Sequence, residues 1–531
     1  MTNAIPSRQD CVVAELIDRR AAETPDQVFV LFEDGDSWTY AELARRVRGW
    51  AAGLQEHGVR QGDRVLSWQI NSPQGLLTYF GLNYLGAVAV PINTAYRGEL
   101  LRHVIANSGA RLMIADGRLL DRLKGLELSA LKKVISIGKP AYARPGLILA
   151  SEKSLAEAEG PPDPPARPIE PWDEHIVLYT SGTTGPSKGV LSSYIHTWSI
   201  KNGFRHHTAS DRHLVPLPLF HATGAVTTYS ALARGGSIAL VNGFDTNVFW
   251  DLIRRFEITT VGLLGVMTQF LLKQPPSPAD RDHTLKTVLV VPIDADTPLF
   301  AERFGVQTFT IFNMTEISIP LFGGPNPGQP GICGRPQPGY EVRLVDEHDI
   351  EVPEGQVGEL IVRNAVPWSI SHGYLNDPAA TARTWRNGWF HTGDAFRRNA
   401  EGDYFFVDRM KDAVRRRGEN ISSFEVEAAI ATHPDVREAA VIGAPSPLGE
   451  DDVMAIVAPV PGRTVDPESL IDHLRDRLAS FMIPRYVRVV DALPKTPTQK
   501  VLKADLRAQG VTPDTWDREA AGVVVKREKL A

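Results

Sequence analysis

The sequence predicts an α/β protein: a large N-terminal domain of layered parallel α/β sheets that also carries a small β-barrel-like unit, then a smaller α+β domain. Three observations predict it. Strand-period and helix-period apolar patterns alternate from the N-terminus to about residue 324, as in βα units on a parallel sheet. Short alternating strands separated by Gly and Pro follow, and beyond residue 411 helices and strands mix at short range. A chain of 531 residues is also too long for one core, so domains are expected at 1–409 and 410–531.

Residues 14–22 recur at helical spacing, and VFVLFEDGDSWTY reads as a hairpin turning at Asp34 and Gly35. Residues 40–54 return to a helix, 64–70 form a strand, 71–85 a helix and AVAVPI (87–92) a strand. The Pro-rich, acidic stretch 160–171 is a loop that delivers the chain to strand HIVLYT (175–180). Further on, GYEVRLVD, VGELIVR and DYFFVDR read as the strands of the small β unit. The last domain should hold helices at 423–432 and 467–478 and strands at 439–442 and 454–459.

Lys and Arg total 57 against 63 Asp and Glu, a net charge of −6, which argues against nucleic acid as a partner. Cys11 and Cys333 form neither a disulfide framework nor a metal motif. The most apolar window, 259–272, is shorter than the roughly 18 residues of a membrane span, and the first residues lack the apolar run of a signal peptide. A cytoplasmic protein without a membrane partner is expected.

Directly after strand 175–180 the chain reads YTSGTTGPSKG (179–189). Glycines let backbone N–H groups turn onto one oxyanion, and hydroxyls and a lysine add donors and charge. A loop fed by a strand is where an α/β sheet holds phosphate. It is not a Walker A loop, because Ser187 precedes Lys188 and Gly189 follows it.

YTSGTTGPSKGV is similar to the signature of the adenylate-forming enzymes: acyl-CoA synthetases, peptide-synthetase adenylation domains and beetle luciferases. Six further strings keep that family's order: PLPLFHATG (216–224), FNMTE (312–316), GWFHTGD (388–394), VDRMKD (407–412), RRRGENISSFEVE (415–427) and LPKTPTQK (493–500). The resemblance spans nearly the whole chain and is strongest to the crotonobetaine/carnitine–CoA ligase group. It implies two steps: a carboxylate attacks the α-phosphate of ATP to give an acyl-adenylate, then the thiol of coenzyme A displaces AMP.

The resemblance also implies roles. Thr180, Ser181, Gly182, Thr183, Thr184, Gly185 and Lys188 would wrap the β- and γ-phosphates. Glu316, with Thr180, would hold Mg²⁺, and Thr315 would donate to the α-phosphate. From the residues alone, Glu316 also reads as an acid opening a helix. Phe312 would lie against adenine with Asn313 and Met314 beside it, Asp394 would accept the ribose hydroxyls, and Phe406 and Arg409 would complete the nucleotide site. Lys500 would bridge the attacking carboxylate and the α-phosphate, a donor whose loss costs about 10²–10³ in rate. Its neighbours Lys495 and Lys503 read as solvated surface lysines. Lys411 matches a hinge about which the C-terminal domain swings, and Gly418 and Glu419 a strand lining a pantetheine tunnel. Arg415, Arg416 and Arg417 would reach the CoA phosphates or form a solvated face.

His221 falls at a gate between acyl site and tunnel, or is simply packed. Gly224, Gly262 and Gly265 lie in segments that mix small and apolar residues, which suggests a roomy pocket for a bulky hydrophobic or alicyclic acid. The family's small-residue turn against adenine is here PIDADTP (292–298). Asp294 and Asp296 would either accept from the adenine amino group or narrow and repel the nucleotide. The second outcome would leave a protein that uses a preformed acyl-adenylate. A carrier protein in place of CoA is the other alternative, and a homodimer is compatible with the family.

Overall fold

The structure, a computed structural model, describes residues 5–524 apart from 129, 157–159, 181–186, 205, 411–413, 417–418, 447–450, 476, 479 and 497–499. The chain packs as two compact units, one of Met1–Val342 with Val362–Phe390, the other of Arg343–Ile361 with His391–Ala531. The expected division at 409/410 therefore falls inside the second unit. The reason is local bonding. Ser422 Oγ donates to the Val407 carbonyl at 2.5 Å and the Ser423 N–H to Asp408 Oδ2 at 2.6 Å, tying the 404–409 strand to the helix that follows.

The first unit holds two sheets. One orders the strands Ile148–Ser151, Lys133–Ile137, Leu112–Asp116, Arg64–Trp68, Val88–Pro91, Glu174–Thr180 and Lys188–Ser193. All neighbours are parallel except the last two, which form an antiparallel hairpin. The other runs from Ser37–Thr39 through Val28–Phe32, Ser237–Leu240, Arg212–Val215, Thr260–Leu264 and Thr287–Val291 to Gln307–Met314, with Ser318–Gly323 antiparallel beyond it.

Helices form where the sequence caps them. Thr39 and Glu42 make a reciprocal capping box at the start of Tyr40–Glu56. Ser72 caps Pro73–Tyr84, whose first residue is the proline that position tolerates. Phe249, Ile253, Met267 and Phe300 from three helices bury Val261, Leu263, Val288 and Val290 on one sheet face. Strands covered on both faces read as unbroken apolar runs, as TVLVV does at 287–291.

In the second unit, Val436–Pro445, Asp451–Pro459, Tyr486–Val489 and Trp516–Asp517 form a four-stranded sheet. The helices Ser423–Ala431 and Pro467–Arg475 cover it through Val426, Ile430, Leu470, Ile471 and Leu474. The strands Val436–Pro445 and Asp451–Pro459 run longer than the sequence pattern indicates, since turn-like Gly443 and Asp452 stay within the ladder.

Candidate active site

The hairpin Glu174–Thr180/Lys188–Ser193 pairs Thr180 with Lys188 at the strand ends that flank residues 181–187 in the sequence. Thr180 Oγ1 donates to the Lys188 carbonyl at 3.4 Å. Ser181, Gly182, Thr183, Thr184 and Gly185 lie outside the described residues. The loop's return is pinned: Ser187 is buried, and its carbonyl lies 2.9 Å from His103 Nε2. Gly189 must lack a side chain, because a Cβ there would sit 2.9 Å from Val177 Cγ1.

Lys188 places its ammonium 5.0 Å from the ring centroid of Tyr374, and the Tyr374 hydroxyl donates to Glu316 Oε1 at 2.9 Å. One aromatic side chain thus joins the loop lysine to the expected metal carboxylate. Glu316 is 7% exposed. It occupies the turn between Gln307–Met314 and Ser318–Gly323 rather than opening a helix, as the Ile317 N–H bonds the Met314 carbonyl. Beside it, Thr315 and Met314 are half-buried and Asn313 is exposed at a register shift, while Phe312 is 8% exposed and offers little ring surface. Burial, then the Glu316 charge, pushes the Tyr374 phenol far up, so it stays a donor.

Asp294 is committed to the local fold. Its Oδ2 accepts from Gln269 Nε2 at 2.8 Å, and its Oδ1 from Thr297 Oγ1 at 2.7 Å and the Asp296 N–H at 3.1 Å. These bonds tie it to the start of helix Thr297–Phe304. Asp296 is exposed, its carboxyl raised by partial burial and then by Asp294.

The three pocket glycines separate. Gly262 faces open space, with nothing within 4 Å of a built Cβ. At Gly224 a Cβ would lie 2.2 Å from the Pro218 carbonyl oxygen, and at Gly265 2.8 Å from that of Pro292. Those two positions require glycine because backbones meet there. His221 caps helix Ala222–Arg234, its Nδ1 accepting from the Thr223 N–H at 3.4 Å.

In the second unit Asp394 and Arg409 pair across antiparallel strands, Nε to Oδ1 3.8 Å. Glu359 braces the turn before Asp394, accepting from the Gly393 N–H at 2.9 Å and lying 2.9 Å from His391 Nδ1. Phe406 makes edge contacts with Phe396 and Phe424 at 5.6 and 6.0 Å. Lys411, Arg417 and Gly418 lie outside the described residues. Glu419 pairs with Arg416 in a two-stranded ribbon.

Lys500 is exposed; its N–H donates to Thr496 Oγ1 at 3.1 Å, and its carbonyl accepts from the Thr496 N–H at 2.7 Å. Lys495 and Lys503 are not solvated: they pair with Glu438 at 2.5 Å and Glu427 at 2.7 Å. Sequence reasoning missed Tyr374 and Glu359. The signals were GYLNDP and GEL, whose polar residues show their partners only in three dimensions.

The model of the family described as AMP-binding enzyme matches residues 17–375, and that of the AMP-binding enzyme C-terminal domain matches 425–500. A crotonobetaine/carnitine–CoA ligase of Escherichia coli is 29% identical over 496 residues, covering 88% of this chain and 93% of its own length. ATP-bound MatB of Rhodopseudomonas palustris aligns with a TM-score of 0.81 at 26% identity, over 93% of this chain and 98% of that one. An anthranilate CoA ligase solved with anthranoyl-AMP aligns at 0.83 and 23% identity, over 96% and 98%. Among the described residues no helix is long and apolar enough to cross a membrane.

Proposed function

The chain belongs to the AMP-binding enzyme family of adenylate-forming enzymes, and on that premise we propose that it is an acyl-CoA ligase with two half-reactions. In the first, a carboxylate oxygen attacks the α-phosphorus of ATP, and pyrophosphate leaves. In the second, the CoA thiol attacks the acyl carbon, AMP leaves, and the thiol proton passes to solvent. The observation that carries this reading is the Lys188–Tyr374–Glu316 cluster beside the phosphate-type loop.

The first step sets anion against anion, so it needs positioned cations. Lys188 would neutralise the outer phosphates and Lys500 the α-phosphate and the incoming carboxylate, with Thr315 donating beside them. Asp394 would accept from the ribose, and Arg409 would hold Asp394 or the ribose. Residues 410–531 are proposed to move as the mobile domain, hinged at Lys411, a motion that requires the Ser422–Val407 and Ser423–Asp408 bonds to open. Gly418 and Glu419 would line the thiol's approach.

Mg²⁺ would supply charge neutralisation at the phosphates. Among the described residues no three acid, His or Cys groups form a metal cage. One buried carboxylate together with substrate phosphates is how Mg²⁺ is commonly held. Glu316, with Thr180 at the base of the loop, fits that donor set.

The acid is proposed to be bulky and hydrophobic or alicyclic, because Gly262 opens onto space beside partly buried Leu264. Asp294 supports a complete ligase over one limited to preformed adenylates, since its oxygens already bond Gln269 and Thr297. The test is a product-resolved mass-spectrometric assay with CoA. One arm contains ATP, Mg²⁺ and a panel of acids; the other contains the matching synthetic acyl-adenylates without ATP. Acyl-CoA in both arms is expected. Product from the adenylates alone would select the second half-reaction, and no product in either arm would overturn the ligase reading.

A further inference from the structure

Segment 371–375 is bonded to the strand that carries Lys188 and to the turn that carries Glu316. The Ser371 N–H donates to the Glu316 carbonyl at 2.7 Å. The Leu191 N–H bonds the Gly373 carbonyl at 3.0 Å, and the Leu375 N–H bonds the Gly189 carbonyl at 2.8 Å. Val190 and Tyr374 form an antiparallel bridge. The Tyr374 N–H donates to Thr381 Oγ1 at 3.0 Å, which fixes the segment to helix Pro378–Thr384. The segment around Tyr374 is therefore held by four hydrogen bonds that do not use the Tyr374 side chain.

That leaves the side chain to be explained. A packing role asks only for an apolar ring. This ring instead ends in a hydroxyl 2.9 Å from a carboxylate that is 7% exposed, and its face lies 5.0 Å from an ammonium. A buried carboxylate left without donors is costly, and a donated hydrogen bond fixes which oxygen points where. An ammonium over an aromatic face is held without losing its positive charge. The two effects act through one rigid group, at its hydroxyl and at its ring face.

We propose that Tyr374 is a positioning residue that sets the orientation of Glu316 for Mg²⁺ and of Lys188 for the outer phosphates, so that metal and ATP bind as a coupled pair. This rests on the ligase reading above. Its hydroxyl orients the Glu316 carboxylate through Oε1, and its ring holds Lys188 at the base of the phosphate loop. Removing the hydroxyl alone takes one donor from the carboxylate but keeps the ring and every backbone bond. Removing the ring also takes away the face beside Lys188.

The test is equilibrium binding of a non-hydrolysable ATP analogue across a Mg²⁺ titration, with AMP binding in EDTA as the control. In Tyr374→Phe, the half-saturating Mg²⁺ concentration is expected to rise about tenfold, in line with losing a group that orients a metal ligand. Analogue binding in EDTA and AMP binding should stay within about twofold. Tyr374→Leu should also weaken analogue binding in EDTA. In a Glu316→Gln background, Tyr374→Phe should add no further loss. A merely structural effect would add there, and additivity overturns the proposal even if the variant is less stable. A Mg²⁺ titration in Tyr374→Phe that matches wild type overturns the proposal alone. A wild-type protein that binds no Mg²⁺·analogue overturns the ligase reading and the proposal together.

Discussion

Arg409 faces Asp394 across an antiparallel strand pair, its Nε 3.8 Å from Oδ1. Arg409 is 40% exposed on its side chain and Asp394 is 11%. A pair so open to water contributes at most about 1 kcal/mol to stability. Its value lies in presenting the carboxylate, which Glu359 braces through the preceding Gly393 N–H. Asp394→Asn is expected to raise KM for ATP by about tenfold, through loss of charged acceptors, with the melting temperature within a few degrees of wild type. Arg409→Ala should leave the melting temperature equally undisturbed. Steady-state kinetics and a thermal melt on the same preparations check both.

Lys500 is exposed, and its ammonium is the group proposed to stabilise the α-phosphate and the attacking carboxylate. Lys500→Ala should therefore slow acyl-adenylate formation by about 10²–10³. Conversion of a synthetic acyl-adenylate to acyl-CoA should change less than about threefold. Pyrophosphate release and thioester formation, followed separately, give the split; an equal fall in both would remove Lys500 from the first step.

Gly262 and Gly224 make a paired test. Gly262→Val adds a side chain into open space and should leave the melt within a few degrees of wild type while shifting kcat/KM toward smaller acids by at least tenfold. Gly224→Ala places a methyl 2.2 Å from a backbone oxygen, which must move. That strain should destabilise by about 1–3 kcal/mol whatever the substrate. Urea unfolding and an acid-size panel on both variants separate the roles.

Much of this was legible in the sequence because apolar period reports burial directly. The hairpin at Gly35, the capped helix from Tyr40 and the strand into Thr180 follow from periodicity and caps. The family was legible because its motifs are short contiguous strings that keep their order along the chain. Tyr374 was not, because its partners stand 186 and 58 positions away. Nor was the placement of Lys495 and Lys503 in ion pairs, since sequence does not show which lysine a folded carboxylate will meet. The bonding of Asp294 was hidden for the same reason: its partner Gln269 lies 25 residues upstream.

The Lys503 pair has a stability consequence. Glu427 and Lys503 are 20% and 16% exposed, and the Val441 N–H also donates to Glu427 Oε1 at 2.7 Å. Burial pushes the Glu427 carboxyl up, and Lys503 pulls it back. Lys503→Met leaves that charge without its partner, at an expected cost of about 2–4 kcal/mol. Adding Glu427→Gln should recover most of it. Urea unfolding of the single and double variants measures the difference, and a double variant no better than the single would show that the lysine acts through packing.

His206 sets an acid limit. Its ring stacks on Phe309 at 4.0 Å, and neither ring nitrogen has a hydrogen-bond partner. Burial lowers its pKa from 6.5 to about 4, as it does for His213 nearby. Between those values the unfolded chain binds more protons than the fold, so stability rises with pH in that window. The contribution is complete above about pH 6.5 and is lost as the pH falls toward about 4. His206→Phe keeps the stack and removes the titrating group. It should match wild type within about 0.5 kcal/mol at pH 7.5 and exceed it by about 1–2 kcal/mol at pH 5. Urea unfolding at the two pH values reads the difference directly. A variant whose gain is the same at both would show that its stability change comes from packing and that the imidazole takes up no proton at a cost to the fold.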